Sequence, residues 1–427
     1  MNQTPRDVFL RGLLKSIGPG ILLAGAAIGV SHLVQATRAG AEFRFGMIGL
    51  LILACATKYP FLEFGPRYAA ATGETLIDGY RKLGAWALWL CAIVTVGSMF
   101  IIMAALTIVT ATLAEYLLQP YLPFGMTPLM WSSVIVIACL LMLVLGRYPL
   151  LDSTMKLVMV ILLFSTIAAL VMAITSPSPH VYAVQPPQWW AIGTFGFLLA
   201  FMGWMPIPID SAIWHSIWIQ ERRKQTNHLA TMGQVRFDFN FGYILAGLVA
   251  IMFLLLGALV MFGAPETFAA GGAGFATQFI ELYGNTLGAW SIPIIAIAAL
   301  TTMFSTTLVV LDAFPRVMQR LTATILVESP SHKQSSTTYA MWVLAQAVLA
   351  LVILAFLGGQ LTRMVDLATT LSFLTAPILA CINYRVVTSQ HMPIAHRPGT
   401  AMRVFSVVSI VVLSMFSVAY LLWRILG

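Results

Sequence analysis

Charge is what this sequence has least of. Only 9% of its 427 residues are Asp, Glu, Lys or Arg, 59% are hydrophobic, and the mean hydropathy is +0.90. A soluble domain carries about 25% charged residues, so most of this surface must face lipid or other helices. Cysteine is scarce as well. Cys55, Cys91, Cys139 and Cys381 lie far apart inside apolar runs, as small buried hydrophobes do, and leave no disulfide or metal spacing. No His-Glu-x-x-His or comparable nucleophile constellation occurs, which argues against a membrane enzyme, and no cofactor is expected. The short basic N-terminus has no small-residue cleavage site before its apolar run, so the first hydrophobic stretch is expected to stay as a span. The net charge of +8 is spread through short loops, which points to membrane topology and not to nucleic acid.

What is present in quantity is long hydrophobic runs. A hydrocarbon core about 30 Å thick needs roughly 20 apolar residues per helix. Eleven stretches qualify: 17–39, 45–69, 86–115, 127–146, 150–175, 189–219, 236–263, 287–312, 338–358, 361–385 and 402–424. With the N-terminus cytoplasmic, eighteen of the 23 Lys and Arg fall on the cytoplasmic side, among them Arg6, Arg81, Arg147, Arg222, Arg320 and Arg397. The opposite loops near 116–126, 177–188 and 264–286 contain none. This is the bias of the positive-inside rule. Eleven spans then leave the C-terminus outside, in what is expected to be a bacterial plasma membrane.

Two of the spans contain residues a continuous helix does not choose. The first runs from Gly18-Pro19-Gly20 through Gly25 to Gly29-Val30-Ser31-His32. The sixth runs Gly203-Trp204-Met205-Pro206-Ile207-Pro208-Ile209-Asp210-Ser211, then Trp214-His215-Ser216. Each proline removes a backbone donor and clashes with the preceding turn. Unpaired backbone costs several kcal/mol per group in lipid, so such stretches survive only where protein or a water-filled cavity lines them. The two breaks sit five spans apart. Five is odd, so a second five-helix unit is inverted relative to the first, as in transporters whose substrate site forms where paired discontinuous helices meet. The expected architecture is all-α: one transmembrane domain over 1–427, with repeat one at about 17–175, repeat two at about 189–385 and an extra helix at about 402–424.

At this point the sequence resembles a known family. Gly18-Pro19-Gly20, the segment Ala71-Thr72-Gly73-Glu74-Thr75-Leu76 followed by Tyr80-Arg81, Met205-Pro206 and His215-Ser216 look like the Nramp divalent metal transporters. The resemblance implies a fold with a five-plus-five inverted repeat and a transport function. The departures fall on the metal site. The family's Asp-Pro-Gly-Asn in the first span is replaced by Gly29-Val30-Ser31-His32. Its Met-Pro-His-Asn becomes Met205-Pro206-Ile207-Pro208, and its Gln-Ser-Ser-Thr run is reduced to Phe304-Ser305-Thr306-Thr307.

The expected function is secondary active transport of a divalent transition-metal cation, with proton coupling, and the alternative is a small organic solute carried by the same fold. For a divalent transition metal of the Mn or Fe kind, His32 offers imidazole, Met205 or Met202 a thioether, and Asp210 the lost negative charge. Gly29, Ser31 and Pro206 complete the expected substrate-binding set. For a small organic solute, Gly29, Ser31, His32, Trp204, Asp210 and Trp214 would line an enlarged pocket. A channel is the third possibility. For proton coupling the candidates are His32, Glu63, Asp210 and His215. Lys58, Glu63 and Arg67 share the second span, and Asp152/Lys156 and Asp312/Arg316 stand four apart, as ion pairs on one helix face do. Glu115, Asp238 and Asp366 are further acidic groups in or near spans. The partners expected are membrane lipid and the transported ion or solute.

Overall fold

The computed structural model describes residues 12–175, 194–263, 272–326, 336–357 and 361–426, and the regular structure among them is helical throughout. The first span is a pair of short helices, α1 (Pro19–Ala27) and α2 (Thr37–Phe43), joined by a break at Ile28–Val30 and a π-helical turn, Ser31–Ala36, and bent by 47°. Then come α3 (Ile48–Thr72), α4 (Leu76–Leu83), α5 (Ala85–Leu118) and α6 (Pro128–Thr175). The sixth span is broken again into α7 (Phe195–Trp204) and α8 (Ser211–Thr226). α9 (Met232–Leu256) ends in a π-helical turn over Gly257–Met261. α10 (Gly272–Leu287), α11 (Ser291–Leu326), α12 (Ser336–Leu357), α13 (Leu361–Thr388) and α14 (Thr400–Leu426) complete the chain.

Seven of these, α3, α5, α9 and α11 to α14, are long and apolar enough to cross a membrane, and the bent α1–α2 pair makes an eighth span. α7 and α8 lie where the sixth span is predicted, and of the two only the short α7 is apolar. The predicted fourth and fifth spans both fall in α6, which runs as helix from end to end and carries apolar segments at Pro128–Val144 and Met159–Thr175. The side chains of Arg147, Asp152 and Lys156 lie outside the described residues, as do the predicted loops at 177–188 and 264–271.

Two helices go beyond the sequence expectation. α10 occupies most of the outer loop predicted at 264–286. α4 is an amphipathic helix that the Thr72–Arg81 motif builds. Gly73, at φ 73°, ends α3 in the left-handed conformation that favours glycine. Thr75 and Asp78 then form a capping box that starts α4. Glu74 accepts from Tyr68 and Lys82, Arg320 of α11 pairs with Asp78, and Tyr80 donates to Asn383 of α13. The motif is thus an anchor between helix ends.

Close backbone crossings fix the interior. A Cβ at Gly20 meets the backbone carbonyl of Asp238, and one at Gly242 meets that of Gly20. Further along the same two spans, Gly40 sits against the Leu254 carbonyl and Gly257 against that of Thr37. The first span therefore lies on the seventh at both ends. In the other half, Gly65 of α3 abuts the Ala212 carbonyl of α8. First on seventh and sixth on second is the pairing an inverted five-helix repeat requires.

Candidate functional site between two broken helices

The first break leaves carbonyls without their helical donors. Gly29 N–H turns to Ala27 O (2.9 Å) and His32 N–H to Gly29 O (3.1 Å), so Gly25 O and Ile28 O lose the groups four residues on. Thr306 of α11 replaces them. Its hydroxyl lies 2.9 Å from Gly25 O and 3.0 Å from Ile28 O, closer than to Thr302 O of its own helix at 3.2 Å, and shares its one proton among them. Gly29 makes room for it, since a Cβ there falls 2.7 Å from the Thr306 methyl.

The second break is satisfied from α3. The Met202 carbonyl would normally accept from residue 206, but Pro206 has no N–H. The buried Lys58 ammonium takes that place, donating to Met202 O (2.6 Å) and Gly203 O (2.7 Å), with Ile207 O at 3.5 Å. The Met205–Pro206 bond is cis.

Between the breaks lies a small cavity of about 30 Å³. Val30 and Ser31 face it from the first break, and Trp204, Ile207, Pro208 and Trp214 from the sixth span. Leu106 of α5 and Thr306 of α11 close the far wall. The Trp204 indole N–H is already committed to Ser372 Oγ at 2.9 Å. What remains is an aromatic and aliphatic wall with two hydroxyls that can accept, since the Ser31 proton is held by Ala27 O or His32 and the Thr306 proton by the carbonyls of the first break.

With this geometry established, comparison with known proteins decides the family. The sequence profile of the natural resistance-associated macrophage protein-like (Nramp) family matches residues 20–423. The chain belongs to the Nramp family. An uncharacterized protein of Pasteurella multocida (strain Pm70) is 32% identical over 412 residues, covering 95% of this chain and 92% of that one. Among solved structures, a mutant manganese transporter of Eremococcus coleocola superposes with a TM-score of 0.74 at 15% identity, covering 98% of this chain and 88% of its own. Two further transporters share the architecture. Mhp1, a nucleobase-cation-symport-1 family transporter with bromovinylhydantoin bound, gives 0.60 at 15% identity, covering 95% and 93%. MhsT in complex with L-phenylalanine gives 0.57 at 14%, covering 93% and 98%. The chain is an integral membrane transporter of the LeuT-like, inverted-repeat class, not an enzyme.

In this Nramp chain the residues singled out from the sequence are dispersed. Ser31 lines the cavity, as do Trp204 and Trp214, but Gly29, His32, Met202, Met205, Pro206 and Asp210 do not. Gly29 and Pro206 shape the two breaks from behind. His32 points to the seventh span, with Nε2 3.0 Å from Ala246 O and Nδ1 2.7 Å from Ser31 Oγ. A carbonyl only accepts, so in the neutral ring Nε2 carries the proton and Nδ1 competes with Ala27 O, 2.8 Å away, for the one Ser31 hydroxyl proton. Both ring nitrogens face protein partners, which leaves neither open to a metal. Among the described residues, no three His, Cys, Asp or Glu side chains form a group able to hold one.

The other ionisable groups sort by depth. Asp210 is buried and its Oδ1 has no hydrogen-bond partner among the described residues. His215 is buried with neither ring nitrogen bonded, 3.9 Å from Asp238 Oδ2. Asp238 accepts from the Gly18 and Gly20 N–H groups at 3.0 and 2.6 Å, placing a carboxylate at the positive end of α1. Glu63 is held between Arg67 (2.7 Å) and Arg236 (3.2 Å). Sequence reasoning passes over Lys58 and Thr306 as parts of the site. A signal for Lys58 exists: an unpaired lysine at mid-span, and a proline in another span that strips a carbonyl of its donor.

Proposed function

We propose that this chain is a secondary active transporter that works by alternating access on a small organic solute. The solute has an apolar body and one or two hydrogen-bonding groups, and it binds between the two breaks. One observation carries the reading: aromatic and aliphatic side chains line the cavity with the hydroxyls of Ser31 and Thr306, and among the described residues no carboxylate, imidazole or thioether does. That is the usual make-up of a small-molecule site. A divalent ion entering it would shed its water with no anionic ligand in return, an expensive exchange in a medium of low dielectric. The carbonyls freed at both breaks, which could otherwise ligate a cation, are taken by Thr306 and Lys58. The same fold holds L-phenylalanine in MhsT and bromovinylhydantoin in Mhp1.

The second reading is transport of a divalent transition metal, Mn or Fe in kind, with protons as the coupling ion. Two observations favour it: membership of the Nramp family, and the buried, unpartnered Oδ1 of Asp210. It needs His32, Met205 and Asp210 to converge in another state of the transport cycle, with Glu63 or His215 handling protons. In either reading the basic helix ends face the cytoplasm of a bacterial cell and the C-terminus faces outward.

Calorimetry with Mn²⁺ and Cd²⁺ on the purified protein separates the two. The organic-solute reading expects no saturable heat from either metal. In a thermal-unfolding screen of amino acids, nucleobases and small amides, it expects stabilisation by at least one compound, lost in Trp214→Ala. Saturable metal binding that disappears in Asp210→Ala and His32→Ala establishes the metal reading in its place.

A further inference from the structure

The most unusual group in the molecule is the Lys58 ammonium. It is fully buried at mid-span, and no carboxylate lies within 4 Å of it among the described residues. Its partners are backbone carbonyls of the sixth span, Met202 and Gly203 at 2.6 and 2.7 Å and Ile207 at 3.5 Å. Such short contacts are those of charge-assisted hydrogen bonds. Met202 and Gly203 belong to the last turn of α7, where unsatisfied carbonyls and the helix dipole concentrate negative potential. Asp210, just beyond the break, acts on the ammonium electrostatically.

A cluster of carbonyls at the end of a half-helix is how transporters with discontinuous helices coordinate a coupling cation. An ammonium group and an alkali-metal ion are of comparable size and charge, and both are satisfied by inward-pointing oxygens. Sequence explains why the cage exists. Pro206 strips Met202 of its donor, and the chain turns out of the helix at Met205, before Ile207 can cap Gly203. The side chain that fills the cage comes from a different span, so the occupant ties α3 to the broken sixth helix.

We infer that the Met202–Gly203–Ile207 carbonyl cage is a monovalent-cation site that the chain occupies with its own Lys58 ammonium, so that the transporter requires no sodium or potassium co-ion. Ile207 contributes a carbonyl to the cage and also lines the central cavity. The ammonium therefore sits directly behind the cavity wall. An organic and a metallic substrate are equally compatible with this arrangement.

The test is thermal unfolding of the purified protein in choline chloride, NaCl and KCl at equal ionic strength. Wild type is expected to melt at the same temperature in all three. Lys58→Ala is expected to melt lower in choline and to recover by at least about 3 °C, saturably, on adding Na⁺, K⁺ or ethylammonium but not ethanol. Lys58→Met keeps the apolar stem and is read in the same salts, so the measurement survives if the alanine variant does not fold. A wild type stabilised saturably by Na⁺ or K⁺ overturns the inference, because a separate co-ion site then exists. A folded Lys58 variant that responds to none of the cations overturns it equally.

Discussion

A single hydroxyl at position 306 takes the place of two backbone donors. Thr306 is buried and within hydrogen-bond reach of Gly25 O and Ile28 O, the carbonyls that the first break leaves open. Thr306→Val keeps the shape and removes the proton, leaving both acceptors buried and unpaired at a cost of about 1–3 kcal/mol. The melting temperature of the purified protein is expected to fall accordingly, and Thr306→Ser to restore most of it. Equal stability of the valine and serine variants would show that the break is satisfied in another way. Thr306 is visible in the sequence as a remnant of a family motif, but its partner is not, since the contact spans 278 residues. His32 is legible as a polar group at mid-depth. Its direction is not, because the break rotates it from the cavity toward Ala246. Lys58 falls in with Glu63 and Arg67 on spacing alone. A four-carbon stem reaches across to another span, and periodicity along one helix cannot record that.

Among elements, the broken helices are the most legible because proline and glycine punctuate them directly. The long spans follow from apolar length. α4 and α10 escape, being short and outside the apolar runs, although the Thr75 and Asp78 capping pair is a recognisable start signal. The glycines that hold the spans together are visible as letters without a reason. Gly20 and Gly65 press against the backbones of Asp238 and Ala212, and a carbonyl inside a helix cannot move aside as a side-chain tip can. Gly20→Ala and Gly65→Ala are therefore expected to destabilise by about 1–3 kcal/mol through overpacking. Gly49 and Gly97, where an added Cβ would meet nothing within 4 Å, are the internal controls. Thermal unfolding of all four alanine variants checks the contrast, which fails if the control pair loses as much as the other two.

For the whole molecule, the polar contacts gather at opposite ends of the bundle. At the end of the first span remote from Pro19, Asp366 of α13 accepts from Gln35 at 3.2 Å and faces Arg38 at 3.8 Å. At the basic end, Arg316 of α11 bonds Asp312 at 2.6 Å and lies 3.7 Å from Glu221 of α8. The first set ties the first span to α13 and the second ties α8 to α11, so each holds one half of a broken span to an unbroken helix at one end of the bundle. The partly exposed Arg38–Asp366 pair contributes little to overall stability, about 0–1 kcal/mol, but a small energy suffices to shift an equilibrium between two accessible states. Ser31→Cys, made in a background without the four native cysteines, places a reporter thiol in the cavity. Adding Asp366→Asn is expected to speed its labelling by a membrane-impermeant maleimide applied from the Asp366 side. Adding Glu221→Gln is expected to speed labelling from the basic side only. Two gates at opposite ends require this opposition: if both substitutions change labelling from the same side, or neither changes it, these contacts do not gate the cavity.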